Sequence, residues 1–145
     1  MTEEFIYDFI SKHKYSVLST VTPDHFPESA VVGFAVTRDL KIIFDTVSTS
    51  RKYQNLLKNP AIAFVVGWEQ EKTIQYEGVA KIPSEKELEG LLQVYFGVFP
   101  DGRERKETWK DIAYFCVEPK WIRYSDFGVP QMIEEKRFWV PGNFI

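Results

Sequence analysis

The chain has 145 residues, enough for one domain with a sizeable core and too few for two ordinary ones. Its composition, 44% hydrophobic and 27% charged, is that of a soluble globular protein, and a formal net charge of −3 argues against nucleic acid as the main partner. No apolar run reaches transmembrane length, the start Met1-Thr2-Glu3-Glu4 lacks a signal-peptide pattern, and the single Cys116 excludes an internal disulfide and a multi-cysteine metal site. The expectation is a cytoplasmic protein with no membrane partner.

Thr2 ahead of Glu3 and Glu4 predicts a helix start, and Phe5, Ile6, Phe9 and Ile10 recur at helical spacing to about Lys14. Three strands follow: Tyr15 to Thr22, Glu28 to Thr37 after a Pro-rich turn, and Leu40 to Thr46 after Arg38-Asp39. They are expected to form an antiparallel meander. Ser50 to Lys58 predicts a helix that Asn59-Pro60 ends. Ala61 to Trp68 is nearly continuous apolar sequence, which predicts a strand buried on both faces, and Lys72 to Ile82 predicts the next. Ser84 and Glu87 stand at capping-box spacing ahead of Leu88, Leu91, Leu92 and Tyr95, a further helix. Arg103 to Lys110 is charged and reads as a short helix or a loop. Asp111 to Val117 and Trp121 to Tyr124 are the last strands, joined at Glu118-Pro119-Lys120. The tail from about residue 126, with Gly128, Pro130, Pro141 and Gly142, is expected to be irregular and to pack on a partner subunit. The predicted class is mainly β with flanking helices, an antiparallel closed or split barrel of about six strands in a single domain.

The strongest chemical signal is Phe44-Asp45-Thr46-Val47-Ser48-Thr49-Ser50-Arg51-Lys52: an apolar strand, a polar turn and a helix start. Two adjacent cations in a first helical turn are unfavourable against the helix dipole unless an anion sits there, and free backbone N–H groups at that end favour a phosphate. The competing reading of Ser50, Arg51 and Lys52 is a capping serine with two solvated cations. Asp45 reads either as a strand-end cap or as a cofactor contact. His13 and His25 have no histidine or carboxylate companions at ligand spacing, so no metal site is expected. No nucleophile-elbow, P-loop or dinucleotide-binding glycine pattern occurs. Cys116 lies in the apolar run Ile112–Val117 and reads as a buried thiol.

From Phe5 to Phe127 the chain resembles the pyridoxamine 5′-phosphate oxidase-like FMN-binding split-barrel family. The resemblance rests on the order of several segments: Val17–Val21 with Pro27, Ile42–Thr46, Ser50-Arg51-Lys52, Leu56–Pro60, the apolar strand to Trp68, Glu77–Ala80 and Val117–Tyr124. The compact length and the Pro-Lys-Trp-Ile-Arg-Tyr ending are most similar to the general stress protein branch. The resemblance implies a homodimer of split barrels with FMN at the interface and a small-molecule substrate that stays unknown. It implies that Ser50, Arg51 and Lys52 hold the FMN phosphate, that Asp45 and Thr46 approach the flavin, and that the backbone of Ala30, Val31, Val32 and Gly33 lies along the ring. Thr73 or Gln75 would reach the cofactor from the partner subunit. True pyridoxamine phosphate oxidases carry an arginine at the position of Ala30 and a lysine at that of Ala35. They also carry a substrate-phosphate cluster and an Arg-x-His-Asp-Arg segment, all absent here. The expectation is an FMN flavoprotein and oxidoreductase with weak or no vitamin B6 oxidation. The alternatives are a non-enzymatic FMN-binding stress protein and a deazaflavin-binding reductase. Haem would want a well-placed histidine, and neither His13 nor His25 suits that role.

Overall fold

The computed structural model describes residues 1–139. Pro141 and Gly142 of the predicted tail lie outside the described residues. Helix α1 (Glu3–Ile10) begins where Thr2 Oγ1 accepts from Phe5 N, and it buries Ile6 and Ile10. Strands β1 (Tyr15–Val21), β2 (Pro27–Gly33), β3 (Ala35–Val36) and β4 (Ile42–Val47) follow, then helix α2 (Arg51–Lys58), strands β5 (Ala61–Val66) and β6 (Lys72–Lys81), helices α3 (Glu85–Val98) and α4 (Gly102–Thr108), and strands β7 (Ile112–Asp126) and β8 (Met132–Arg137). The fold is mainly β, an antiparallel split barrel with flanking helices.

All eight strands of the described residues belong to one sheet, ordered β2-β1-β5-β6-β7-β4-β3, with β8 beside β7. The predicted second strand, Glu28 to Thr37, is two strands. The chain breaks at Phe34, whose backbone N–H donates to Lys14 O at 3.0 Å, and β3 then pairs with β4. The expected meander is therefore corrected: β2 and β3 are consecutive in sequence yet stand at opposite ends of the sheet. Inside the curl sit Leu18, Phe34, Ile42, Phe44, Phe64, Ile74, Tyr76 and Phe115. A second apolar layer packs α3 on the outside of the sheet, joining Leu92, Tyr95 and Phe96 to Ala35, Ile43 and Tyr114.

Two further expectations fail for a shared reason. The predicted break at Glu118-Pro119-Lys120 is absent, and β7 runs through it. Pro119 cannot donate to the ladder, but it faces Gly78 at a register shift between Glu77 and Gly78. A methyl group at Gly78 would meet Glu118 O at 2.5 Å, so glycine alone admits that close approach. The tail, expected to be irregular from about residue 126, forms β8. Its residues Trp121↔Arg137 through Asp126↔Met132 complete an antiparallel pair, and Arg123 pairs with Glu135 across it. Turn residues Gly128 and Pro130 shape the hairpin connection rather than a loose end. β5 is also not buried on both faces: Ala61 and Val65 are exposed, while Ile62, Phe64 and Val66 point inward.

Candidate functional site

The Ser50–Lys52 segment starts a helix as predicted. Ser50 is the N-cap, and its Oγ accepts from Tyr53 N at 3.2 Å. The same oxygen lies 2.9 Å from Thr46 Oγ1, so the strand end and the helix start are tied by their hydroxyls. Arg51 and Lys52 in the first turn project into a cleft of about 480 Å³ whose other walls are Leu18, Thr20, Pro27, Glu28, Ser29 and Ala30. Of the expected cofactor residues, Arg51, Lys52 and Ala30 line this one cleft, and Val31, Val32 and Gly33 do not.

The β2 side of the cleft follows from the pleat. Glu28, Ala30 and Val32 point to the inner face and Ser29 and Val31 to the outer one, with Val31 68% exposed. As the end strand of the sheet, β2 leaves one side of its backbone outside the β1 ladder. Gly33 closes the segment where a methyl group would meet Phe99 Cζ at 2.7 Å.

A polar chain fixes the floor. Asn55 is 6% exposed and its Nδ2 donates to Thr20 Oγ1 at 3.0 Å and to Glu28 Oε1 at 2.8 Å. Glu28 Oε2 in turn pairs with Arg51. Neither Glu28 nor Asn55 stood out in the sequence. The signal available was Asn55 on the otherwise apolar face of a predicted helix, a buried amide that must find partners.

Asp45 is not in this cleft. Strand alternation turns Thr46 inward and Asp45 outward, under α3 and α4, where Arg105 Nε and Nη2 donate to Asp45 Oδ2 at 3.2 and 3.1 Å. Arg105 Nη1 also donates to Asp101 Oδ2 at 2.7 Å. Burial opposes the Arg105 charge, but Asp45 more than offsets it and raises its pKa. Asp45 lies inside β4 and is held by Arg105, a structural ion pair that neither reading, strand-end cap or cofactor contact, describes.

Thr73 and Gln75 lie on β6, far from the cleft in the same subunit. Directly opposed residues place Val31, Val17, Val65, Gln75, Arg123 and Glu135 in one row across the outer face. Val31 and Gln75 are three strand spacings apart in that row, about 14 Å. Thr73 Oγ1 is buried without a hydrogen-bond partner.

A larger cleft of about 730 Å³ between α1 and the β5–β6 connection contains neither Arg51 nor Lys52. His13 lines it, with its ring 5.1 Å from that of Phe9 and its Nε2 so placed that a methyl group on Gly67 would come within 2.8 Å. Burial lowers the His13 pKa. His25 is exposed in the β1–β2 turn with φ 67°. No group of three or more histidine, cysteine or carboxylate side chains that could hold a metal occurs among the described residues. No helix among them is long and apolar enough to cross a membrane.

Solved structures share this fold. The heme binding protein from Mycobacterium smegmatis superposes with a TM-score of 0.79 at 13% identity over 94% of this chain, which spans 58% of that protein's length. General Stress Protein 26 from Bacillus anthracis gives 0.71 at 23% identity, covering 94% of this chain and 98% of the other. A pyridoxamine 5'-phosphate oxidase-related, FMN binding protein from Nostoc punctiforme gives 0.63 at 13% identity, covering 88% and 87%. No curated protein sequence matches. Residues 2–126 match the Pyridoxamine 5'-phosphate oxidase family, and the chain belongs to that family.

Proposed function

We propose that the protein binds FMN with the phosphate at Arg51 and Lys52, and works as an FMN-dependent oxidoreductase on a small-molecule substrate. The observation that carries this is the shared cleft: two cations at a helix N-terminus face Ala30 on β2, the end strand of the sheet. These residues fit the cofactor in chemical kind. Arg51 offers a planar set of donors, Lys52 a mobile point charge, and the α2 amides a positive end. Ser50 fits less simply, because its hydroxyl already caps the helix and meets Thr46. Its role is to hold the turn from which the cations project. When bound, FMN supplies hydride or electron chemistry, while the protein binds and orients it.

A homodimer belongs to the same proposal. Val31 at 68% and Val65 at 38% exposure, either side of Val17 on the outer face, leave apolar surface open in the subunit. A second copy packed on this face would cover them and bring the exposed Gln75 across to the cofactor of its neighbour, whereas the Thr73 hydroxyl is buried in its own subunit. Vitamin B6 oxidation is expected to be weak or absent. Ala35, at the position where such oxidases carry a lysine, is 2% exposed and packs in the α3 layer. Haem draws less support from His13, whose ring is wedged between Phe9 and Gly67.

The test is titration of the purified protein with FMN, read by absorbance and by sedimentation. The proposal expects a yellow dimer with flavin absorption that loses its colour in the double variant Arg51→Ala, Lys52→Ala while keeping its mass. Undiminished FMN affinity in that variant removes the phosphate assignment. A Soret band without flavin absorption would replace FMN with haem.

A further inference from the structure

We propose that Glu28 is a resident competitor for the anion at Arg51, so that the cleft takes a phosphoryl group in its singly charged state. This deepens the reading of the cleft as a phosphate site and rests on it. The Glu28 side chain is 19% exposed and that of Arg51 is 79% exposed. Glu28 Oε1 is anchored by Asn55 Nδ2 at 2.8 Å, and Asn55 is anchored by Thr20, itself 1% exposed. When a ligand draws the guanidinium away, Arg51 can move and the carboxylate stays in the cleft.

The charges around Glu28 then decide which anion is accepted. Helix α2 contributes Arg51 and Lys52, and β1 contributes only Leu18 and Thr20. The β1–β2 turn carries Asp24 and His25, both exposed. Asp45 is turned to the opposite face of β4 and paired with Arg105. Two cations and one fixed carboxylate leave a single formal positive charge in the cleft, beside the partial charge of the α2 N-terminus. A phosphate monoanion neutralises it and can donate its own proton to the carboxylate. A dianion meets a like charge held at short range in a partly dry site, which is unfavourable. A phosphate monoester loses its second proton at about pH 6, so affinity falls as pH rises through that value.

Glu28→Gln keeps the acceptor for Asn55 and removes the charge. At pH 8 it is expected to bind FMN about tenfold more tightly than the unsubstituted protein, with little difference at pH 5.5. Riboflavin, which has no phosphate, should bind both proteins equally, and thermal unfolding of both should coincide. Equal or weaker FMN binding by Glu28→Gln at pH 8 overturns the proposal, as does an equal gain for riboflavin. If the unsubstituted protein binds FMN, the Arg51→Ala, Lys52→Ala variant does not, and Glu28→Gln changes nothing, the phosphate site stands and the competitor alone falls. Binding by Glu28→Gln where the unsubstituted protein shows none supports the competitor. Absence of FMN binding in both removes both readings.

Discussion

Two arginine–carboxylate pairs sit on opposite faces of the region around β4, and their surroundings give them different work. Arg105 and Asp45 are 19% and 16% exposed, roofed by α3 and α4, and joined by Asp101 and Tyr95. Arg51 and Glu28 share a cleft in which only the carboxylate is enclosed. The first pair is locked on both sides and acts as a clamp between helix and strand. In the second, the cation is free to exchange its partner. Enclosure, more than residue type, separates a locked ion pair from one open to exchange.

The largest expected effect breaks the second pair. Arg51→Ala with Lys52→Ala should weaken FMN binding by about a hundredfold or more, because charge-assisted hydrogen bonds to the phosphate are lost. The unfolding free energy of that variant should move by less than about 1 kcal/mol, since exposed cations add little to stability. Chemical denaturation beside FMN titration reads both, and a large stability loss would erase the contrast. Asp45→Ala should do the reverse. It leaves Arg105 enclosed without its main partner and should cost about 2–3 kcal/mol of stability, with FMN affinity changed less than in the double variant. Asn55→Ala lies between the two, removing the link from Thr20 to Glu28 at about 1–2 kcal/mol of stability.

A smaller effect depends on pH. Burial lowers the His13 pKa below the ordinary 6.5, so the unfolded chain takes up the proton first. The stabilisation is complete above 6.5 and is lost as pH falls from there through the folded value. Unfolding midpoints measured between pH 7 and 5 should show a decline that His13→Gln flattens. The smallest effect is a null one. Cys116 is 1% exposed and burial pushes its thiol up to about 11, so a thiol reagent at pH 8 should label it only after unfolding.

Much of the fold was legible because its signals are local. Thr2, Ser50 and Ser84 cap helices where their spacing to the next apolar residues indicates, and Ser84 and Glu87 form the reciprocal capping box. Asn59-Pro60 ends α2 as expected. The failures involve partners that the local pattern does not show. Pro119 looked like a strand end because its tolerance depends on Gly78 across the ladder. The tail looked irregular because β8 owes its order to β7, not to its own apolar alternation. In the site, the Ser50–Lys52 helix start was visible as a pattern of adjacent residues. Asp45 was ambiguous because its partner Arg105 is 60 residues away. Glu28 carries no signal of its own, because one carboxylate in a strand says nothing of the buried amide that holds it.

The passage through Gly33 and Phe34 has a further consequence, for how the molecule folds. It carries the chain from one end of the sheet directly to the other, so the two ends are tied by covalent bonds where no ladder joins them. Phe34 is fully enclosed at the crossing. The β1–β2 hairpin can form early from local contacts, and β3 pairs locally with β4, but β4 gains its other neighbour only when β7 arrives, some seventy positions later in the chain. The two ends of the sheet, tied through Phe34, are therefore expected to complete their burial together. Unfolding of the barrel should therefore appear as one cooperative transition.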